Sequence, residues 1–162
     1  MSEVALIVDE LERGYAGDAW HGDPVTKILD GVTADMAARR PLPHAHSIWE
    51  LVLHMAGWKR EVAARMRGKP ASDPAEGDWP AAPTGAAASE QAWRAALQAL
   101  AAAHRELVDT VRGLPPDRLH APVNDPRNRP LGTGESHAVT LHGIAQHDAY
   151  HAGQISLLKK GA

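Results

Sequence analysis

The chain has 162 residues, of which 44% are hydrophobic and 23% charged, a composition typical of one globular domain spanning residues 1–162. Its net charge of −3 disfavours a nucleic-acid binder that depends on a broad basic surface. The absence of cysteine excludes disulfides, thiolate metal sites and a cysteine nucleophile from this chain. Histidine occurs ten times, and these residues need an explanation.

The sequence shows no targeting or membrane segment. The short apolar run at residues 4–8 has acidic residues on both sides, whereas a secretory peptide begins with basic residues. No stretch approaches the roughly 18 apolar residues of a membrane span. Basic residues are scattered, and Lys59 and Arg60 are interpreted as solvated surface. We therefore expect a soluble, cytoplasmic protein.

Apolar residues repeat at helical spacing along most of the chain. The first long helix is predicted over residues 2–17. Asp23 as N-cap and Pro24 at the first helical position then predict a short helical piece that reaches about residue 30. The two prolines within residues 39–46 predict a loop, because proline lacks a backbone donor.

The second long helix has the clearest start in the sequence. Ser47 is followed three residues later by Glu50, which is the pattern of a capping box. Gly68 and Pro70 are expected to end this helix. Residues 70–88 are rich in Pro, Ala, Gly and Asp, and they predict a crossover loop within one domain.

The third and fourth long helices are predicted from the same kinds of signal. Ser89 is predicted to cap the third helix, and Gly113 to end it. A second Pro- and Gly-rich loop is expected over residues 113–134, and the fourth helix over about 136–160. No strand pattern is present. Four amphipathic helices with long connections predict an all-α four-helix bundle with crossovers.

Three histidines are candidate metal ligands. His147 and His151 are four residues apart on the fourth helix, so their Cβ atoms should lie about 5–6 Å apart. His54, on the second helix, would complete a set that leaves coordination positions open for water or substrate. Imidazole suits Zn, Ni, Fe and Cu alike. Three hydrogen-bonded core histidines without a metal are the alternative.

Four other residues are candidates with less support from the sequence. Asp148 lies between the histidine pair, but the motif differs from H-E-x-x-H because Asp replaces Glu. We interpret Asp148 as a partner of a ligand or of another helix, with a general-base role left open. His104 is interpreted as a satisfied core histidine in preference to a fourth ligand. His137 and His21 are candidates for the mouth of the site.

Several segments resemble the DinB/YfiT-like superfamily. The most specific are SIWELVLHMAGW at residues 47–58 and HDAYHAGQI at residues 147–155. The Trp20-His21-Gly22 segment, and the Trp79-Pro80 loop followed by Trp93, are similar to that family too. The resemblance covers nearly the whole chain.

The resemblance implies a four-helix bundle with up-down-down-up connectivity. It implies one divalent metal ion (Zn, Ni or Fe) held by three histidines, which match His54, His147 and His151. Relatives are often homodimers that act on small molecules, and the family name implies no DNA binding. Some are transferases or isomerases that use bacillithiol, mycothiol or glutathione, and some were labelled metal-dependent hydrolases.

Three functions are therefore open. The first hypothesis is a metal-dependent S-transferase that uses a small-molecule thiol as cosubstrate. The second is a metal-dependent hydrolase, in which the open coordination position holds water. The third is a metal-binding stress protein without catalysis.

Overall fold

The computed structural model describes residues 1–123 and 134–161. Six α-helices occur in this part of the chain: α1 Glu3–Ala16, α2 Val25–Leu29, α3 Ala34–Ala38, α4 Ile48–Met66, α5 Glu90–Arg112 and α6 His137–Gly161. Two 3₁₀ helices, Gly85–Ala87 and Pro116–His120, lie in the connections. Pro122 and Ser136 form an isolated β-bridge. The predicted all-α class is confirmed.

The four long helices pack together. α4 lies against α5 and α6, and α1 lies against the same two helices. The short α2 packs on α1 and α6, and α3 packs on α4 and α5. Within residues 1–123 and 134–161, no helix could serve as a membrane span.

The predicted helix starts are mostly confirmed, with two differences. Pro24 itself takes the N-cap position of α2, while Asp23 forms an ion pair with Lys27 at 2.7 Å. The five-residue α3 was not predicted, because so short a helix has too little periodicity; Thr33 caps it. Of the loop predicted over residues 113–134, residues 124–133 lie outside the described residues.

The capping box at the start of α4 is formed and buried. The Ser47 hydroxyl accepts a hydrogen bond from the Glu50 amide at 3.2 Å, and the Glu50 carboxylate accepts one from the Ser47 amide at 2.8 Å. Glu50 also pairs with Arg40. These bonds fix where α4 begins, and His54 follows within its next two turns.

The apolar core has two parts, each shared by several helices. One part combines the beginning of α4 with the beginning of α5 and the end of α6. The other combines most of α1 with the ends of α4 and α5 and the beginning of α6. In sequence, the two parts are separated on α4 by Lys59, on α5 by His104 and on α6 by Asp148.

These three residues and Tyr15 meet inside the bundle, so that each long helix contributes one member of an interhelical cluster. Lys59 forms an ion pair with Asp148, and its Nζ lies 3.5 Å from His104 Nδ1 and 5.5 Å from the centre of the Tyr15 ring. The Tyr15 ring stacks on His104 with centroids 3.9 Å apart. Lys59 is 0% exposed, so its interpretation as surface is wrong. Its place on the Met55 stripe of α4 turns it inward.

Burial controls the protonation of this cluster. Burial, with a smaller contribution from the positive charges of Lys59 and Arg105, lowers the pKa of His104 to about 3. Burial also raises the pKa of Tyr15 to about 12. His104 is therefore a neutral core histidine at neutral pH.

The buried capping box gives a first prediction. Ser47→Ala should lower the free energy of unfolding by about 1–2 kcal/mol, because the Glu50 amide loses its acceptor in a buried position. Ser89→Ala, at the exposed start of α5, is the matched control and should cost about 0.5–1 kcal/mol. Urea unfolding monitored by circular dichroism measures both. Equal costs at the two caps would contradict the role given to burial.

His104 gives a second prediction, about pH. Since its folded pKa lies below that of the unfolded chain, the unfolded state binds more protons as pH falls below about 6.5. Stability is therefore lost on acidification, by at most about 2 kcal/mol for this residue between pH 7.5 and 5. His104→Gln should make the pH dependence shallower by about that amount.

Urea unfolding at the two pH values measures the difference in slope. The matched control is His142→Gln, which replaces an exposed histidine paired with Glu10. Parallel stability curves for His104→Gln and the wild type would show that His104 does not stay neutral in the fold.

Candidate metal centre

His54, His147 and His151 converge on one point between α4 and α6, and we call them the three-histidine cluster. The Nε2 atoms of His54 and His147 are 2.8 Å apart, and those of His147 and His151 are 3.1 Å apart. Each ring contributes one nitrogen to a set of three that lie within 4.8 Å of one another. His54 and His151 are 5% and 4% exposed. The structure thus brings together the three residues predicted as ligands.

Hydrogen bonds at Nδ1 decide how two of these rings are protonated. His54 Nδ1 lies 2.6 Å from the main-chain oxygen of Asp78, and His151 Nδ1 lies 2.6 Å from the side-chain oxygen of Gln154. An oxygen acceptor requires a hydrogen on Nδ1, and a neutral imidazole has only one. The Nε2 atoms of His54 and His151 therefore present bare lone pairs to His147.

The third ring has no such partner. His147 Nδ1 is buried and has no hydrogen-bond partner among the residues that the structure describes. Its Nε2 can carry at most one hydrogen, which cannot satisfy two facing lone pairs with good geometry. A cation at the point of convergence would accept all three nitrogens.

The spacing also fits a metal ion. Two imidazole nitrogens bound to one ion at about 2.1 Å lie about 3.0–3.4 Å apart for angles of 90–110°. The observed separations of 2.8 and 3.1 Å are close to that range. The donor set is three neutral imidazoles, which suits a borderline divalent transition metal.

Burial keeps the three rings neutral, as metal ligation requires. It lowers the pKa of His54 and of His151. It lowers the pKa of His147 to about 3, and the neighbouring His151, His54 and Lys59 contribute in the same direction.

The crossover between α4 and α5 covers the cluster. The Trp79 ring lies between two histidine rings, with centroids 3.6 Å from His46 and 3.8 Å from His54, and it is nearly parallel to both. Asp78 Oδ1 accepts a hydrogen bond from Trp58 Nε1 at 2.7 Å and lies 3.3 Å from His54 Nδ1. The roles of Asp78 and His46 were not predicted from the sequence. The only local signal was the Asp78-Trp79 pair within a run of small residues.

A cleft of about 280 Å³ adjoins the cluster on the side of Gln154 and His46. Its walls come from the loop before α4 and from one face each of α4 and α6. The remaining lining residues are Leu42, His44, Ala45, Leu51, Leu157 and Leu158. The cleft is large enough for part of a small organic molecule.

The other residues singled out in the sequence have different contacts from those of the three-histidine cluster. Asp148 points to Lys59 in the interhelical cluster, and His104 belongs to the same cluster. His137 lies ten residues before His147 on α6, and its Nδ1 is 2.7 Å from the main-chain oxygen of Ala121. His21 is exposed and lines a groove beside α6. The roles of His137 and His21 at the mouth of the site stay predictions.

Comparison with known proteins agrees with the motifs. Residues 19–155 match the DinB superfamily, a span that contains α2 to α5, most of α6 and all three histidines of the cluster. No curated protein matches the chain significantly. With most of its length matched, the chain belongs to the DinB superfamily.

Proposed function

We propose that the protein binds one divalent metal ion through the three-histidine cluster and uses it to transfer a small-molecule thiol to an electrophilic substrate. The observation that carries metal binding is the convergence of the three Nε2 atoms, two of them with lone pairs set by Nδ1 hydrogen bonds. A divalent ion bound there would lower the pKa of a thiol or water that shares its coordination.

The chain's own residues would prepare the site for this chemistry. Asp78 and Gln154 hold the rings of His54 and His151 in orientation. The Trp79 ring lies over His54 and keeps water from that side. Three protein ligands leave coordination positions for other molecules, as in catalytic sites.

The placement of Asp148 favours a thiol cosubstrate over water. The absence of cysteine is compatible with a thiol that comes from a separate molecule. Asp148, the candidate base for a hydrolase, is 3% exposed and paired with Lys59, which leaves it poorly placed to take a proton from water. The cleft beside Gln154 would accept the apolar part of a small substrate.

We also propose that the bundle has up-down-down-up connectivity. The beginnings of α4 and α5 share one part of the core with the end of α6. The beginning of α6 shares the other part with most of α1 and with the ends of α4 and α5. This distribution supports parallel α4 and α5 between two helices of the opposite direction.

Metal binding gives a third prediction. The wild type should bind one equivalent of Zn²⁺ at pH 7.5 and gain about 2.7 kcal/mol of stability at a hundredfold excess over the dissociation constant. Its melting temperature should then rise by about 5–10 °C. His151→Ala should lose both effects, because one of three ligands is gone.

His142→Ala is the matched control, since it removes an exposed histidine from the same helix and should leave both effects intact. Elemental analysis and differential scanning fluorimetry measure binding and stability. The same metal-induced shift in His151→Ala and the wild type would mean that zinc binds elsewhere.

Thiol transfer gives a fourth prediction. Protein loaded with Zn²⁺, Ni²⁺ or Fe²⁺ should consume glutathione, mycothiol or bacillithiol in the presence of an electrophile panel, with formation of the thioether. The rate should fall at least a hundredfold in His54→Ala. Mass spectrometry of the adducts measures the product.

Two results would replace this proposal. Metal-dependent cleavage of esters or amides without any thiol would identify a hydrolase. Stoichiometric metal binding with no turnover across both panels would identify a non-catalytic metal-binding protein.

A further inference from the structure

The two helices that carry the three-histidine cluster must hold a narrow register. His54 lies on α4, and His147 and His151 lie on α6. The Nε2 atoms of His54 and His147 are 2.8 Å apart across the two helices. One residue of a helix rises about 1.5 Å, so a slide of α6 by a single residue would displace its ligands relative to His54 by about half of that separation.

A buried ion pair joins the same two helices next to the ligands. Lys59 lies five residues after His54 on α4, which is about 7.5 Å along the axis. Its partner Asp148 lies on α6, directly after His147 and three residues before His151. The side chains of Lys59 and Asp148 are 0% and 4% exposed.

This pair discriminates between registers more sharply than apolar contacts do. An apolar side chain that slides along a helix meets other apolar side chains, so it keeps much of its burial. A charge that leaves its partner in the core is stranded without water. Lys59 also contacts His104 of α5 and Tyr15 of α1, so a shift of α4 would disturb contacts to all three other long helices.

We propose that the Lys59–Asp148 ion pair is a positioning device that sets the register of α6 against α4 and so preforms the metal site. Lys59 and Asp148 act through the histidines and are not ligands themselves. The inference rests on the proposed binding of metal by the three-histidine cluster. Fixing register is the best attested use of buried polar groups in helical assemblies.

The test is the double variant Lys59→Met, Asp148→Leu, which removes both charges and leaves none stranded. Its melting temperature without metal should equal or exceed that of the wild type, because an apolar pair of similar volume often packs as well. Its Zn²⁺ dissociation constant, measured by competition with a chromophoric chelator, should be at least tenfold higher. A purely structural pair would leave the zinc affinity of the folded protein unchanged.

Arg67→Met, Glu106→Leu is the control. Arg67 follows α4 and Glu106 lies on α5, and their ion pair at 2.7 Å does not join the two helices that carry the ligands. Zinc affinity in this control should stay within twofold of the wild type.

If the double variant does not fold, a single variant tests the positioning role of the ion pair. Asp148→Glu keeps both charges and adds one methylene between α4 and α6, so zinc affinity should fall at least fivefold. Wild-type zinc affinity in either folded variant overturns the inference and leaves the proposed function standing. A wild type that binds no zinc overturns the proposed function itself.

Discussion

Two hydrogen bonds, from Nδ1 of His54 to a main-chain oxygen and from Nδ1 of His151 to Gln154, determine what the cluster can do. They place the single hydrogen of each neutral ring on the side away from the point of convergence. Two Nε2 lone pairs are then forced to face a third imidazole inside a protein core. Without these bonds the rings could exchange hydrogens and bond to one another. With them, the arrangement favours a cation.

The surroundings of the cluster keep its rings free of the protons that would compete with a metal ion. Burial disfavours the protonated form of every ring in it, and the positive charge of Lys59 lies close enough to His147 to act in the same direction. Lys59 is paired with Asp148 in the interhelical cluster, which separates the two apolar parts of the core. The interhelical cluster therefore contributes both to the packing of the bundle and to the electrostatics of the site.

Local patterns were sufficient to predict much of this structure. The capping box at Ser47, the caps at Thr33 and Ser89, and the spacing of His147 and His151 all depend on residues within four positions of each other. Of these, only the cap at Thr33 was overlooked. His54 could be assigned because its helix and its surrounding motif were both recognisable.

The remaining features depend on contacts between distant residues. Lysine is almost never fully buried without a partner, so Lys59 was expected at the surface. Its partner Asp148 lies 89 residues away. Trp79 and His46 acquire their roles only when the crossover folds back on α4. The spacing of Lys59 from Met55 places it on the inner face of α4, but a single sequence contains no periodicity that identifies its partner or the stacking of Trp79.

The acceptor for His54 has a consequence for how this protein can vary. The atom is the main-chain oxygen of Asp78, and every amino acid offers the same oxygen. Natural variants could therefore exchange the side chain at this position and keep the tautomer of His54, provided that the backbone follows the same path. A search for invariant side chains would then overlook one of the atoms that prepare the site, and tracing the backbone would find it.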